Sequence, residues 1–322
     1  MVGKKIVVLG TGGTIAGLSP AGAAAPQVYR AAQLSVDQLL ANIPALQGRT
    51  LVAEQVAQLD SKDMGPEVWQ ALAARCAHWL AQGDVQGLVI THGTDTLEET
   101  AYFLHRVLAA AKPVVLTCAM RPADAPEPDG PQNLADAVTV ALGPGVHGVV
   151  TVCAGQVHGP IEVTKVHPSR LDAFSSGEAG PLGLVEEGAL RQLRSWPAPQ
   201  DERTLVLAAA VARHAPAAWP QVAIVFNHAG ADGAVVDALC MAGVRGLVAA
   251  GTGNGTLSEA LEAALLRAQQ RGTWVRRSTR CAFGQVLAHP SDVLAVAPGL
   301  SPVKARVALQ LDLLASKVSM GL

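Results

Sequence analysis

KKIVVLGTGGTIAG, residues 4–17, holds the first decision about this chain. An apolar run from Ile6 to Leu9 empties into glycines and threonines, the pattern of a buried strand ending in a tight loop. Such a loop either cradles a phosphate with its backbone N–H groups or holds up a hydroxyl. A dinucleotide fingerprint needs glycine or alanine where this loop has Ile15, and a β-branched residue there blocks close helix packing. A Walker loop needs Gly-Lys before serine or threonine, and the loop has no such pair. The glycines alone therefore do not make a nucleotide site. A threonine hydroxyl, by contrast, needs only a neighbouring base to become a nucleophile.

The rest of the composition narrows the field. With 322 residues, 50% hydrophobic and 16% charged, the chain can bury a large core, and its length favours two domains. A formal net charge of −2 gives no electrostatic case for nucleic acid or an anionic membrane. Apolar stretches such as 205–212 fall far short of the ~20 residues that span a bilayer. The apolar run after Lys4 and Lys5 is also too short for a signal-peptide core of ~7–15 residues. The reading is therefore cytoplasmic, though a periplasmic protein stripped of its leader would look the same. Cys76, Cys118, Cys153, Cys240 and Cys281 are odd in number and lack a C-x-x-C pair. They read as buried apolar fillers in a reducing compartment.

Short β-branched runs alternate with helix-period segments, the signature of an α/β fold with a mostly parallel sheet flanked by helices. Strands are expected at 5–9, 51–56, 87–91, 113–118 and 148–153, with helices at 36–42, 66–82, 96–111 and 133–141. Pro66 suits a first helical turn, and Thr96-Leu97-Glu98-Glu99 has the form of a capping box. From Arg194 to Pro220 proline and charge occur together and strand periodicity lapses, which reads as a hinge. Alternation then resumes through 222–226, 235–241, 246–250, 256–271 and 273–276, and the chain closes on a helix at 302–317. The expected layout is a catalytic α/β domain over 1–193, a linker over 194–220 and a smaller α/β domain over 221–322. Residues 17–32, rich in alanine and glycine, read as mobile.

Ligands bind open parallel sheets at the carboxyl ends of the strands. Four polar clusters fall there: Gly10 to Thr14, Asp60-Ser61-Lys62-Asp63, Thr91 to Thr96, and Ala119-Met120-Arg121-Pro122. Either Thr14 presents a nucleophilic hydroxyl, with Thr94-Asp95 as part of the base system that activates it, or both threonines bond their own turns. Lys165, in a β-like stretch, is either a surface charge or a desolvated base beside Asp95. His92 and His158, near these motifs, read as structural hydrogen-bonders.

TGGTIAG at 11–17 and ITHGTDTLEETAYFL at 90–104 resemble the bacterial L-asparaginases, homotetrameric amidohydrolases with a threonine nucleophile. The likeness continues in order through DSKDM at 60–64, KPVVLTCAMRP at 112–122, DGPQNL at 129–134, VTK at 163–165, GPLG at 180–183, AGTGNG at 250–255 and KARVALQL at 304–311. It implies that Thr14 attacks the side-chain amide of asparagine, ammonia leaves, and water cleaves the β-aspartyl ester. Tyr29 falls at the family's lid tyrosine. Thr94, Asp95 and Lys165 match its second catalytic threonine with the associated acid and base. Ser61 and Asp95 would hold the substrate's α-carboxylate and α-ammonium, with Gly13, Gly93 and Thr94 lining the same site. The Ala119 carbonyl would accept from the leaving amide. Asn254 would act from a neighbouring subunit of a tetramer built as a dimer of intimate dimers. The resemblance implies neither cofactor nor metal, and a free amino-acid amide as the small-molecule partner.

Two positions depart from the family pattern. Lys62 stands where well-studied periplasmic members carry glutamine, and residues 277–290, RSTRCAFGQVLAHP, hold no carboxylate before Asp292. Both remove acceptors for the substrate ammonium. Two other readings therefore stand beside the asparaginase: a glutaminase-asparaginase or other ω-amide hydrolase on the same fold, and a catalytically silent amino-acid-binding protein.

Overall fold

The fold is known from a computed structural model that describes residues 4–20, 29–41, 43–197 and 201–319. The chain divides into two compact units, Met1–Leu205 and Val206–Leu322.

The first unit begins with β1 (Lys5–Gly12), α1 (Val36–Ala41), β2 (Leu51–Leu59), α2 (Pro66–Leu80), β3 (Val85–Thr91), α3 (Leu97–Val107), β4 (Pro113–Thr117), α4 (Gly130–Leu142) and β5 (Gly148–Cys153). Five short strands follow: β6 (Gln156–His158), β7 (Thr164–Lys165), β8 (Phe174–Ser175), β9 (Gly183–Glu186) and β10 (Ala189–Gln192). Eight of these ten strands make one sheet in the order β10-β9-β6-β5-β4-β3-β1-β2. From β5 to β2 the pairing is parallel, with Val8, Val89, Val115 and Val150 in register. These residues are fully buried. Strands covered on both faces read as unbroken apolar runs, which is why they are visible in the sequence. The β6, β9 and β10 edge is antiparallel and adds strands beyond those expected from the sequence.

The strand order creates the site. From β1 the chain moves outward to β2, then crosses back to β3 on the other side of β1. This reversal falls at β1, and open parallel sheets bind ligands at the carboxyl ends of the strands that flank such a reversal. Gly10 pairs with Thr91 at that end. Thr14 and Thr94 lie just beyond.

The sequence expectations differ from the structure at several places. The Thr96 side chain does not cap α3. Its Oγ1 instead donates to the Ser61 carbonyl at 2.7 Å, a distant acceptor that outcompetes the local turn. The 194–220 segment contains a helix, α5 (Glu202–Arg213), which buries Thr204, Leu207, Ala210 and Val211. Of the five cysteines, Cys76, Cys118 and Cys153 are buried, Cys240 is half-buried and Cys281 is exposed, so the filler reading fails at Cys281. Within 17–32, Leu18 and Arg30 exchange both backbone hydrogen bonds and Ser19 is tied to Asp124. The rest of that expected mobile stretch, 21–28, lies outside the described residues, as does Asn42.

The second unit alternates as expected: β11 (Val222–Phe226), α6 (Ala234–Met241), β12 (Gly246–Gly251), α7 (Glu259–Gln270), β13 (Trp274–Thr279) and α8 (Pro302–Ser319). Its parallel sheet runs β11-β12-β13. Alternation along β12 sends Leu247 and Ala249 against α6 and α7, and Val248 against Ala305, Leu309 and Leu313 of α8.

Candidate active site

The loop after β1 is shaped by two glycines in left-handed backbone, Gly12 at φ 102° and Gly13 at φ 81°. Side chains are nearly excluded from that region. Space adds a second reason for glycine. A Cβ on Gly13 would land on the Cα and N of Gly93, and one on Gly93 would land on the Ser61 side chain. The Thr14 loop, the Thr94 loop and the Ser61 turn are thus packed together at backbone distance. Thr11 Oγ1 donates to the Thr91 carbonyl at 2.8 Å, tying the two strand ends.

Each catalytic candidate has a defined partner. Thr14 is buried, and its Oγ1 lies 2.8 Å from the Tyr29 hydroxyl. Thr94 is buried as well, and Lys165 Nζ donates to its Oγ1 at 2.8 Å. The same ammonium donates to Asp95 Oδ1 at 2.7 Å. Lys165 is placed by the short β7–β8 pairing, and its own N–H donates to Glu98 Oε1 at 3.3 Å. Ser61 Oγ accepts from the Asp95 N–H at 3.1 Å, fixing the Asp95 backbone.

Ala119, at the neighbouring exit from β4, is held from both sides. Asp129 accepts from the Met120 and Arg121 N–H groups, each at 2.9 Å. Asn133 Nδ2 donates to the Cys118 carbonyl at 2.9 Å, and its Oδ1 accepts from Ala154 N at 3.0 Å. The sequence carried Asp129, Asn133 and Glu98 only as letters of motifs. Their positioning contacts come from loops that spacing alone does not join.

His92 is fully buried, with Nδ1 2.7 Å from the Gly93 carbonyl, and burial pushes its pKa down to about 4. A neutral ring with the proton on Nδ1 bonds that carbonyl, so His92 acts on the loop's shape. His158 Nδ1 lies 2.8 Å from Ser176 Oγ.

The two departures also acquire geometry. Lys62 Nζ pairs with Asp60 at 2.7 Å and Asp63 at 3.2 Å, which raises its pKa, chiefly through the Asp60 bond. Asp292 pairs with Arg277 at 2.7 Å, and with the His289 N–H as the main cause its carboxyl is held below its usual value. In the second unit, Asn254 commits both ends of its amide to Leu287, donating at 3.1 Å and accepting at 2.7 Å. That contact anchors a loop.

A hydroxyl beside a phenol, and a second hydroxyl beside an ammonium–carboxylate pair, are groups that can take part in acid–base transfer. Residues 5–199 match the family model "Asparaginase, N-terminal", and residues 221–319 match "Glutaminase/Asparaginase C-terminal domain". A protein of Haemophilus influenzae named as a probable periplasmic L-asparaginase is 37% identical over 97% of this chain and 89% of its own length. A glutaminase-asparaginase of Pseudomonas fluorescens is 36% identical over 94% and 84%. The crystal structure of a probable cytoplasmic L-asparaginase from Campylobacter jejuni superimposes with a TM-score of 0.88 at 34% identity, covering 98% of each chain. The chain belongs to the asparaginase family and is an amidohydrolase. Among the described residues no helix is long and apolar enough to cross a membrane.

Proposed function

We propose that this enzyme is an L-asparaginase, converting L-asparagine and water to L-aspartate and ammonia through an ester on Thr14. One observation carries the reading. Lys165 Nζ bonds both Thr94 Oγ1 and Asp95 Oδ1, on a loop packed against the Thr14 loop. Thr14 Oγ1 bonds to the amide carbon, and the hydroxyl proton travels through the side chains around it to the leaving nitrogen, which departs as ammonia. Water held by Thr94 then opens the ester and returns the proton to Thr14. Asp95 neutralises Lys165 and faces the substrate ammonium, while Ser61 holds the α-carboxylate. The Ala119 carbonyl accepts from the amide nitrogen. Tyr29, bonded to Thr14, covers the nucleophile and excludes water.

The catalytic groups all lie in the segment 1–193, which we assign as the catalytic domain, with 194–220 as connector and 221–322 as the smaller domain. A homotetrameric, cytoplasmic enzyme is the accompanying assignment, supported by the family likeness. Relatives named as periplasmic and as cytoplasmic both occur. Glutamine is the second substrate to test, because a glutaminase-asparaginase is among the relatives and an added methylene discriminates by only ~1–3 kcal/mol.

The test is ammonia release from asparagine and glutamine by the wild type and Thr14→Ala. A loss of about 10³-fold or more is expected on removing a covalent nucleophile. Unchanged turnover in Thr14→Ala would remove Thr14 from the role, and a higher kcat/KM for glutamine would reassign the substrate.

A further inference from the structure

Beneath the Ala119 rim lies a pair of thiols that the amide chemistry does not use. Thr117 pairs with Val152 in the parallel β4–β5 ladder, so the next residues, Cys118 and Cys153, stand side by side. Adjacent strands lie ~4.8 Å apart, inside the ~4.4–6.8 Å between Cα atoms that a disulfide accepts. Both side chains are buried, and their sulfurs are already 3.2 Å apart. Neither cysteine is in a disulfide. The Cys118 thiol is pushed up well above its usual range, first by its hydrogen bond with Cys153 and then by burial. Lys165 acts on the same thiol in the opposite sense, so the pair lies within the electrostatic reach of the proposed base.

The surroundings couple this pair to the site. Thr117 Oγ1 donates to the Val152 carbonyl at 2.9 Å, and Asn133 spans the Cys118 carbonyl and the Ala154 N–H. Asn133 Nδ2 also reaches Asp129, which holds the N–H groups of Met120 and Arg121. A change in the spacing of the two strand exits therefore passes into the peptide that carries the Ala119 carbonyl.

We propose that Cys118 and Cys153 are an oxidisable dithiol, closed to a disulfide by a hydroperoxide or a small disulfide oxidant, and that closure weakens catalysis by displacing Ala119. The functional half rests on the proposed role of the Ala119 carbonyl. With hydrogen peroxide, one thiol gives up its proton as its sulfur attacks an oxygen. The departing hydroxide takes that proton and leaves as water, so the attacking sulfur becomes a sulfenic acid. The second thiol displaces the sulfenic oxygen as a second water, and the S–S bond forms. Two thiols lose two electrons and two protons, and one peroxide is reduced to two waters. A bond of ~2.05 Å requires the sulfurs to close by about 1.1 Å. A displacement of about 1 Å at a reacting group costs up to ~10²-fold. Shared between two strands and taken up partly by side-chain rotation, it predicts about a tenfold fall in kcat/KM.

The experiment uses the full chain with Cys281→Ala, which removes the exposed thiol. One sample is treated with hydrogen peroxide in the native state. Another is refolded in glutathione disulfide buffer, where burial does not restrict access. Alkylation and non-reducing digestion then read the linkage, alongside ammonia release before and after dithiothreitol. The expected result is a peptide joining 118 to 153, lighter by two hydrogens, with about tenfold lower activity. Dithiothreitol should restore it, and Cys153→Ala and Cys153→Ser should lack both effects. Cys118 and Cys153 both found alkylated in the refolded, oxidised sample would overturn the pair. A linked peptide with unchanged activity, or the same inhibition in Cys153→Ala, would overturn the coupling to Ala119. If the reduced enzyme released no ammonia from asparagine, the proposed function would fail while the linkage result stood on its own.

Discussion

Gly13→Ala reads the packing of the two catalytic loops directly. Gly13 has φ 81° and ψ −174°, a region occupied almost only by glycine, and forcing alanine into it costs about 1–3 kcal/mol. The new methyl would also land on the Gly93 backbone and on the His92 carbonyl carbon. Neither is the free end of a flexible side chain, so the loops must part, at about 1–3 kcal/mol more. The combined destabilisation is about 2–6 kcal/mol. Separation also strains the Gly13 N–H bond to Leu59 and the Ala32 N–H bond to the Gly13 carbonyl. Thr14 is the next residue, and a shift of about 1 Å there lowers kcat/KM by about 10²-fold. Urea unfolding gives the stability and ammonia release gives the rate. Gly83→Ala is the matched control, since its Cβ would meet nothing within 4 Å. It should change stability by less than about 0.5 kcal/mol. If Gly13→Ala matched the wild type in both midpoint and rate, the close approach of the loops would be refuted.

Lys165→Met should lower kcat by about 10²–10⁴-fold, the range for losing a proton-transfer group, while costing less than about 1 kcal/mol because Asp95 is half-exposed; near-normal kcat would remove Lys165 from the relay. Stability should fall between about pH 6.5 and 4, because burial lowers His92 and His105 from 6.5 to about 4. The sign follows from linkage: in that window the unfolded chain binds protons the native rings refuse, so each histidine costs up to about 3 kcal/mol, levelling off below pH 4. Denaturant titrations at three pH values check this, and a flat profile would contradict it. Lys62→Gln should change kcat/KM for asparagine by less than about threefold, because the ammonium is engaged by Asp60 and Asp63. A tenfold change would place Lys62 in contact with substrate.

What the sequence revealed follows from where each element is buried. β1, β3, β4 and β5 are covered on both faces, so their apolar runs are unmistakable. β10 is mostly exposed and β6 is three residues long, and neither leaves an apolar signature. α5 did leave one, since Thr204, Leu207 and Val211 are buried at helical spacing. The flanking prolines and charges hid it. At the site, glycine spacing and hydroxyls located the loops, and the family likeness assigned their roles. The Ser61 bond that replaces the Thr96 cap, and the Asn133 bridge between β4 and β5, join residues far apart in the chain. No local pattern encodes them. The same holds for Asn254, whose Asn-Gly turn spends its amide on Leu287.

The reaction turns on the oxygen that becomes acylated. Acid quench of the enzyme during turnover of asparagine, followed by digestion and fragment mass analysis, reads this atom directly. An aspartyl ester on Thr14, absent from Thr14→Ala, is the result this structure leads to. An ester on Thr94 or on any other side chain would contradict it.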